Sequence, residues 1–243
     1  MNHPLIWAHR GASGYAPENT LPAFRMAAEM KADGVELDIQ LTRDGEIVVC
    51  HDETIDRTSS GHGSIADFSL SELKTFDFCN GNLAYEGVRI PTLEEVLDEL
   101  EPTPLTVNIE LKTGINFYPG IEEKAIELVQ RKGWGKRIIY SSFNHETLRR
   151  IHQLDPAAKT GVLYGDGLAD PVKYGRMLGA SALHPVLFNL RYPGFLETCR
   201  EDGKEINVWT VNSEEHLKIC REMGVHAVIT NYPEKARKLY DKP

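Results

Sequence analysis

Glu36 and Asp38 stand two residues apart in Val35-Glu36-Leu37-Asp38-Ile39, a run whose alternation reads as a β-strand. On a strand, residues i and i+2 share a face. If both faces are buried, as in a parallel barrel, two ionised carboxylates side by side are costly unless a cation or hydrogen bonds compensate. The pair therefore suggests a hard-metal site built from oxygens. An exposed edge strand with polar residues turned outward explains it equally well, since Leu37 and Ile39 fit both. A second strand tips the balance: Val107-Asn108-Ile109-Glu110-Leu111-Lys112 puts Asn108, Glu110 and Lys112 on one face. Lys112 and Glu110 alone would pass for a structural ion pair. Three carboxylates at the carboxyl ends of two strands, where barrel active sites are built, favour the metal.

His9-Arg10-Gly11 ends the first strand in the same way. Arg10 suits a bidentate clamp on phosphate, and Gly11 and Gly14 allow close backbone approach. Asn19-Thr20 stands where a helix cap belongs. His51-Asp52 follows Ile47-Val48-Val49-Cys50, and two histidines suit acid–base work because an imidazole titrates near pH ~6.5. Each pair alone is a weak signal. His62, His145, His152, His216 and His226 fall in loops or helical segments and are expected to be solvated. His184-Pro185 ends a strand and is a lesser candidate for the mouth. Trp209, on one face with Asn207 and Val211, is either core or a ring against substrate carbons, and Phe143 has the same ambiguity. Cys50 neighbours His51 on a strand and so points to the opposite face, which argues against a Cys–His nucleophile. No GxSxG or GxxxxGK[ST] motif is present.

Short β-branched runs alternating with helical patterns must position these residues. Strands are expected at Leu5–His9, Val35–Leu41, Glu46–Cys50, Leu105–Leu111, Arg137–Ser141, Thr160–Tyr164, Ala182–His184, Ile206–Val211 and Ala227–Thr230. Arg43-Asp44-Gly45 is a turn signal that makes the second and third a hairpin. Helices are expected at 18–31, 92–100, 120–131, 145–154, 170–178, 194–201, 213–223 and 233–240. Without the hairpin return this gives eight strand–helix units, the count of a (β/α)₈ TIM barrel and more than a doubly wound sheet needs. Residues 53–89 break the repeat, rich in Ser, Thr, Gly and Asp with one helical stretch at 71–75. They read as a small insertion after the second strand, rising beside the mouth of a single barrel domain spanning 1–243.

The chain has 243 residues and a formal net charge of −9. That balance argues against nucleic acid or an anionic membrane as partner, though a cleft can still be locally basic. No apolar run approaches the ~20 residues of a membrane helix, and the first residues lack a signal-peptide pattern. Cys50, Cys79, Cys199 and Cys220 show no CxxC spacing and read as reduced thiols. A cytoplasmic protein without stable membrane association is expected.

Taken in order, His9-Arg10-Gly11-Ala12 with Pro17-Glu18-Asn19-Thr20, Glu36-Leu37-Asp38 with Thr42-Arg43-Asp44-Gly45, Val48-Val49-Cys50-His51-Asp52, Pro91-Thr92-Leu93, Glu110-Leu111-Lys112, Ser142-Phe143 and Trp209-Thr210-Val211-Asn212 resemble the glycerophosphodiester phosphodiesterase family. The resemblance runs nearly end to end. It implies a (β/α)₈ barrel with an insertion after the second strand, and hydrolysis of glycerophosphodiesters to sn-glycerol 3-phosphate and an alcohol. It implies further that Glu36, Asp38 and Glu110 bind a divalent metal, Ca²⁺ or Mg²⁺. His9 would be the base and His51 the acid, Arg10 and Lys112 would hold the phosphate, and Phe143 and Trp209 would wall the substrate. One departure is Asn231, where the family often has Asp. It is expected to touch no metal or acid–base position and to bear only on the local loop and helix start.

Three classes of function compete. A hydrolase of deacylated glycerophosphodiesters, such as glycerophosphocholine or glycerophosphoethanolamine, needs only the residues above. A lipid-acting phosphodiesterase, phospholipase C- or D-like, also needs an apolar rim, for which Ile115-Asn116-Phe117-Tyr118 is the sequence's one candidate. A non-enzymatic phosphate sensor would have no reason to keep every acid–base and metal residue.

Overall fold

The computed structural model describes residues 3–242. Its strands are β1 (Leu5–His9), β2 (Gly34–Leu41), β3 (Ile47–Val49), β4 (Thr106–Leu111), β5 (Ile138–Ser142), β6 (Thr160–Tyr164), β7 (Ala182–Pro185), β8 (Glu205–Val208) and β9 (Ala227–Thr230). Its helices are α1 (Leu21–Glu29), α2 (Leu70–Leu73), α3 (Leu93–Leu100), α4 (Ile121–Arg131), α5 (His145–Leu154), α6 (Pro171–Met177), α7 (Phe195–Glu201), α8 (Glu214–Met223) and α9 (Pro233–Tyr240). Eight strands pair in parallel, and β1 pairs with both β9 and β2, which closes a (β/α)₈ TIM barrel. The remaining strand, β3, returns antiparallel against β2.

Sequence pattern explains the layers. Every residue of β2 is buried, as a strand covered on both faces requires. Val35, Leu37, Ile39 and Leu41 join the core beneath the helices, with Val107, Ile109 and Leu111 of β4. Glu36, Asp38 and Gln40 therefore turn to the barrel interior. Helix α3 shows how the outer ring is held. Thr92 and Glu95 form a reciprocal capping box at its start. Leu93, Val96, Leu97 and Leu100 recur at helical spacing and are fully buried. Truncating Leu97 to alanine there costs about 2–5 kcal/mol.

Strand register sets the site. His9 lies beside Glu36, Glu36 beside Asn108, and Asp38 beside Glu110. Residues 53–89 rise between β3 and α3 and carry a small apolar cluster of their own, with Ile55, Ile65, Leu73 and Phe78 packed on Val48 and Cys50.

Two expectations need correction. Strand β8 ends at Val208 and not at Val211. Trp209 keeps only a single bridge to Val186, while Val211 turns to the outer core with Leu217, so the two do not share a face. At α1, Thr20 makes no side-chain cap; its hydroxyl donates to Pro17 O at 2.6 Å, and Asn19 is drawn away toward Asp38.

Candidate active site

At the carboxyl end of the barrel, one cavity is lined by His9, Arg10, Glu36, His51, Glu110, Phe143 and Trp209. Asp38, fully buried, and Lys112, just past the end of β4, touch residues that line it: Asp38 lies 3.4 Å from Arg10 and Lys112 2.9 Å from Glu110. The structure thus brings together the residues that the sequence marks as acid–base, metal-binding or substrate-binding, but not His184, the lesser candidate. Lys112 Nζ donates to Glu110 Oε1 (2.9 Å) and to His51 Nε2 (3.2 Å), and the cavity measures about 80 Å³. A larger crevice of about 590 Å³, between the loops after β6 and β7, holds none of these residues.

The carboxylates crowd together. One oxygen each from Glu36, Asp38 and Glu110 lies within 4.8 Å of the others. Two ligands of one cation, each at about 2.3–2.6 Å, are at most ~5 Å apart, so the spacing fits a single divalent ion. Asp38 Oδ1 is buried without a hydrogen-bond partner. Burial, reinforced by Asp38 and Glu110, drives the Glu36 pKa well above the ordinary carboxylate range. Burial and Asp38 push Glu110 up to about 7. For Asp38, burial pushes upward too, but Arg10, His51 and Lys112 outweigh it and hold it below the usual value. Without a cation, the cluster favours the ionised form of Asp38 and shifts Glu36 and Glu110 toward their protonated forms. An oxygen-only donor set in this state suits a hard divalent ion.

Arg10 takes a left-handed φ of 54°, which turns its backbone N–H onto Glu36 Oε2 at 3.0 Å. Its guanidinium donates to Glu18 at 2.8 Å and sits 3.4 Å from Asp38. Gly11 follows at φ 76°, where a Cβ would meet the backbone of Ala23 at 2.7 Å. A Cβ on Gly14 would strike the Tyr232 ring. Both glycines therefore admit neighbouring elements of the fold and not the substrate.

Each imidazole has a partner behind it. His9 Nδ1 is 2.7 Å from Asn231 Oδ1, and an amide oxygen only accepts, so His9 carries its proton on Nδ1 and turns a bare Nε2 toward Glu36, 3.9 Å away. Burial, then Arg10, pulls the His9 pKa down to about 4. His51 Nδ1 donates to Asp52 Oδ1 at 2.7 Å, which leaves Nε2 to accept from Lys112. Asn231 therefore does touch an acid–base candidate, contrary to the sequence expectation. Pairing of β1 with β9 brings position 231 behind His9, and no local pattern foretells that.

Several contributors escaped the sequence reading. Gln40 Nε2 donates to the carbonyls of Cys50 (2.9 Å), His51 (3.2 Å) and Asp52 (2.7 Å), fixing the turn that carries His51. It continues the series Glu36, Asp38, Gln40 on one face, so the signal was present. Asn19 donates to Asp38 Oδ2 at 2.8 Å. Phe143 and Trp209 meet edge to face with centroids 5.4 Å apart, and Trp209 Nε1 donates to His184 O, which keeps its ring on the cavity wall. His184 itself is fully buried against Asn207 and Trp7, away from the mouth. His145 is not solvated: it donates to Leu163 O at 2.7 Å and accepts from the Tyr174 hydroxyl. His152 and His226 are half-buried; His62 and His216 are exposed, as expected. Cys50 is buried and its thiol pushed up to about 12, chiefly by desolvation, so it supplies no thiolate.

Residues 9–235 match the model of the Glycerophosphoryl diester phosphodiesterase family. The glycerophosphodiester phosphodiesterase of Caldanaerobacter subterraneus subsp. tengcongensis is 44% identical over 239 residues, 98% of each chain. A crystal structure of the Agrobacterium tumefaciens glycerophosphodiester phosphodiesterase superposes with a TM-score of 0.83 at 30% identity, covering 95% of this chain and 97% of that one. An Oleispira antarctica phosphodiesterase, determined with its product sn-glycerol-3-phosphate, gives 0.89 at 28% identity over 99% of this chain and 98% of that one.

Proposed function

This chain belongs to the glycerophosphoryl diester phosphodiesterase family and is a phosphodiesterase; we propose that it hydrolyses small deacylated glycerophosphodiesters to sn-glycerol 3-phosphate and an alcohol, with His9 as base and His51 as acid. The observation that carries this reading is the pair of imidazoles on one carboxylate-floored cavity, each with its Nδ1 proton fixed and its Nε2 inward. A His9 pKa of about 4 keeps Nε2 unprotonated at neutral pH, as a base requires. To act as the acid, His51 must first take a second proton on Nε2, turning there from acceptor to donor, while Asp52 accepts from its Nδ1.

Glu36, Asp38 and Glu110 would hold the divalent cation, Ca²⁺ or Mg²⁺, which when bound supplies Lewis acidity toward the reacting oxygens. Arg10, on the cavity lining, and Lys112, beside Glu110 and His51, would as cations balance charge gathering on the phosphoryl oxygens. No serine or cysteine lines the cavity. The nucleophile we assign is the substrate's own 2-hydroxyl. Its proton passes to His9 Nε2 as oxygen bonds to phosphorus, and the leaving alcohol oxygen takes a proton from His51 Nε2 as its bond to phosphorus breaks. Five-membered closure of this kind benefits from effective molarities of ~10⁵ M or more. Water then opens the cyclic phosphate with the two histidines in reversed roles. A panel of glycerophosphodiesters, assayed for glycerol 3-phosphate with each divalent metal, tests the activity. A 2-deoxy analogue that binds but is not turned over supports the cyclic route, and turnover near the parent's rate overturns it.

One observation favours a lipid-acting alternative. Ile115 and Phe117, in the loop after Lys112, are 72% and 73% exposed, and Phe188 after β7 is 59% exposed. Co-sedimentation with zwitterionic vesicles discriminates: a lipid-acting enzyme binds and loses binding in Phe117→Ser, and a hydrolase of soluble diesters stays in the supernatant.

A further inference from the structure

Arg57 lies in the segment between β3 and α3, off the barrel wall, yet its guanidinium makes four hydrogen bonds that converge behind the site. Nε donates to Asp52 Oδ2 at 2.7 Å and Nη2 to Asp52 Oδ1 at 3.1 Å. Nη1 and Nη2 donate to Glu18 Oε2 and Oε1, both at 2.8 Å. Asp52 Oδ1 also accepts from His51 Nδ1, and Glu18 Oε1 also accepts from Arg10. One chain of contacts thus runs Arg10–Glu18–Arg57–Asp52–His51.

From this chain we infer that Arg57 is a positioning residue for His51: its fork holds the Asp52 carboxylate in the orientation that keeps the His51 proton on Nδ1 and Nε2 toward the substrate. The inference rests on the reading of His51 as acid to the leaving alcohol. Asp52 needs such a hold. It follows His51 directly in sequence, and its side chain is 29% exposed, so water competes for both of its oxygens. The planar fork of arginine matches a carboxylate bidentately, which an ammonium cannot do. It also keeps Asp52 ionised, well below the ordinary carboxylate range, with the Arg57 bonds the largest cause. A carboxylate fixed on Nδ1 sets the tautomer of an acid–base imidazole and stabilises its protonated form. Glu18, itself shared with Arg10, anchors the other side of the fork. Without it Arg57, 45% exposed, would be an ordinary surface cation.

The rival is a surface ion-pair network that merely pins residues 53–89 to the barrel. Leaving-group dependence separates the two. With the metal-loaded enzyme, glycerophosphocholine needs a proton on its departing alcohol, whereas the 4-nitrophenyl ester of glycerol 3-phosphate does not. General acids contribute ~10²–10⁴-fold, so Arg57→Gln should lower kcat on glycerophosphocholine by roughly 10-fold or more, with KM little changed. On the nitrophenyl ester the loss should stay within about 3-fold, near what a surface pair contributes. Arg57→Lys, which keeps charge but not the fork, should fall between, and guanidinium ion added to Arg57→Ala should restore part of the rate. Equal losses on both substrates, or none, overturn the proposal. A second readout does not depend on the role of His51: the hydrogen-bonded Nδ1 proton should give a downfield NMR resonance in the wild type that vanishes in His51→Ala and is lost or shifted in Arg57→Gln. An unchanged resonance in Arg57→Gln overturns the positioning outright. Should His51→Ala itself slow both substrates equally, the assignment of His51 as acid fails, while the resonance still decides for or against Arg57.

Discussion

Metal affinity should rise with pH across the weakly acidic range, because a cation must displace protons from the carboxylate cluster. In the cation-free protein burial and Asp38 hold Glu110 at about 7, and Glu36 is also raised, by burial and by both neighbouring carboxylates. Between pH 5 and 7, Glu110 alone changes the competition by (1 + 10²)/(1 + 1), or ~50-fold in affinity, on the order of 2 kcal/mol. Glu36 adds to this in the same direction. Above about 7 the Glu110 contribution levels off. Stability of the metal-free protein runs the opposite way. A carboxylate raised from its ordinary 4.5 to about 7 binds its proton more tightly folded than unfolded. Its contribution is therefore fully present below about 4.5 and is lost as pH rises through about 7. Added Ca²⁺ or Mg²⁺ should accordingly raise the Tm more at pH 8 than at pH 5. Calorimetric titrations in two buffers of different ionisation enthalpy give both affinity and protons released. A flat affinity from pH 5 to 7 with no proton release would refute the account of the cluster, and so would Glu110→Gln binding the cation as tightly as wild type.

Further outcomes follow from individual contacts. His9→Ala and His51→Ala should each lower kcat by ~10²–10⁴-fold in steady-state assays, with the double variant no worse than additive; near-normal turnover in either would remove that histidine from the mechanism. Asn231→Ala deletes the acceptor of the His9 Nδ1 proton. Losing one such hydrogen bond is worth about 0.5–1.5 kcal/mol, so kcat should fall by roughly 2- to 10-fold, with a small drop in Tm. Gly11→Ala forces a Cβ to 2.7 Å from the Ala23 backbone at a φ of 76°. It should destabilise the protein by at least ~1–3 kcal/mol in urea titrations, and an unaltered midpoint would show that the β1–α1 turn relaxes freely.

Most of the fold was legible because local pattern and global architecture agree. Leu5–His9, Thr160–Tyr164 and Ala227–Thr230 form strands with the bounds that alternation and β-branching gave, and His145–Leu154 and Pro233–Tyr240 form helices with theirs. The carboxylate cluster was legible for a related reason. Carboxylates at i and i+2 on a strand buried on both faces conflict with the hydrophobic rule, and such conflicts concentrate at sites that do chemistry. What alternation cannot show is where the chain leaves a strand, and β8 stopped three residues short of the expected end.

The parts that remained hidden share a physical cause. Asn231 supports His9 across 222 positions, and only closure of the barrel between β1 and β9 brings them together. Arg57 supports Asp52 from a loop whose composition reads simply as polar. Asp52 sits beside a marked residue, yet is not anomalous for its element until its partner is known; Gln40, buried and polar in line with Glu36 and Asp38, did carry a signal. Residues that contact substrate or metal are forced to be improbable for their surroundings, since a buried charge must be there for some purpose. Residues that orient them are ordinary amides and ion-paired charges, each satisfied by its neighbours, and satisfaction is what makes them silent in sequence. The second kind of residue is therefore found from hydrogen bonds traced outward from each reactive nitrogen, which is how Asn231 behind His9 and Arg57 behind His51 come to light.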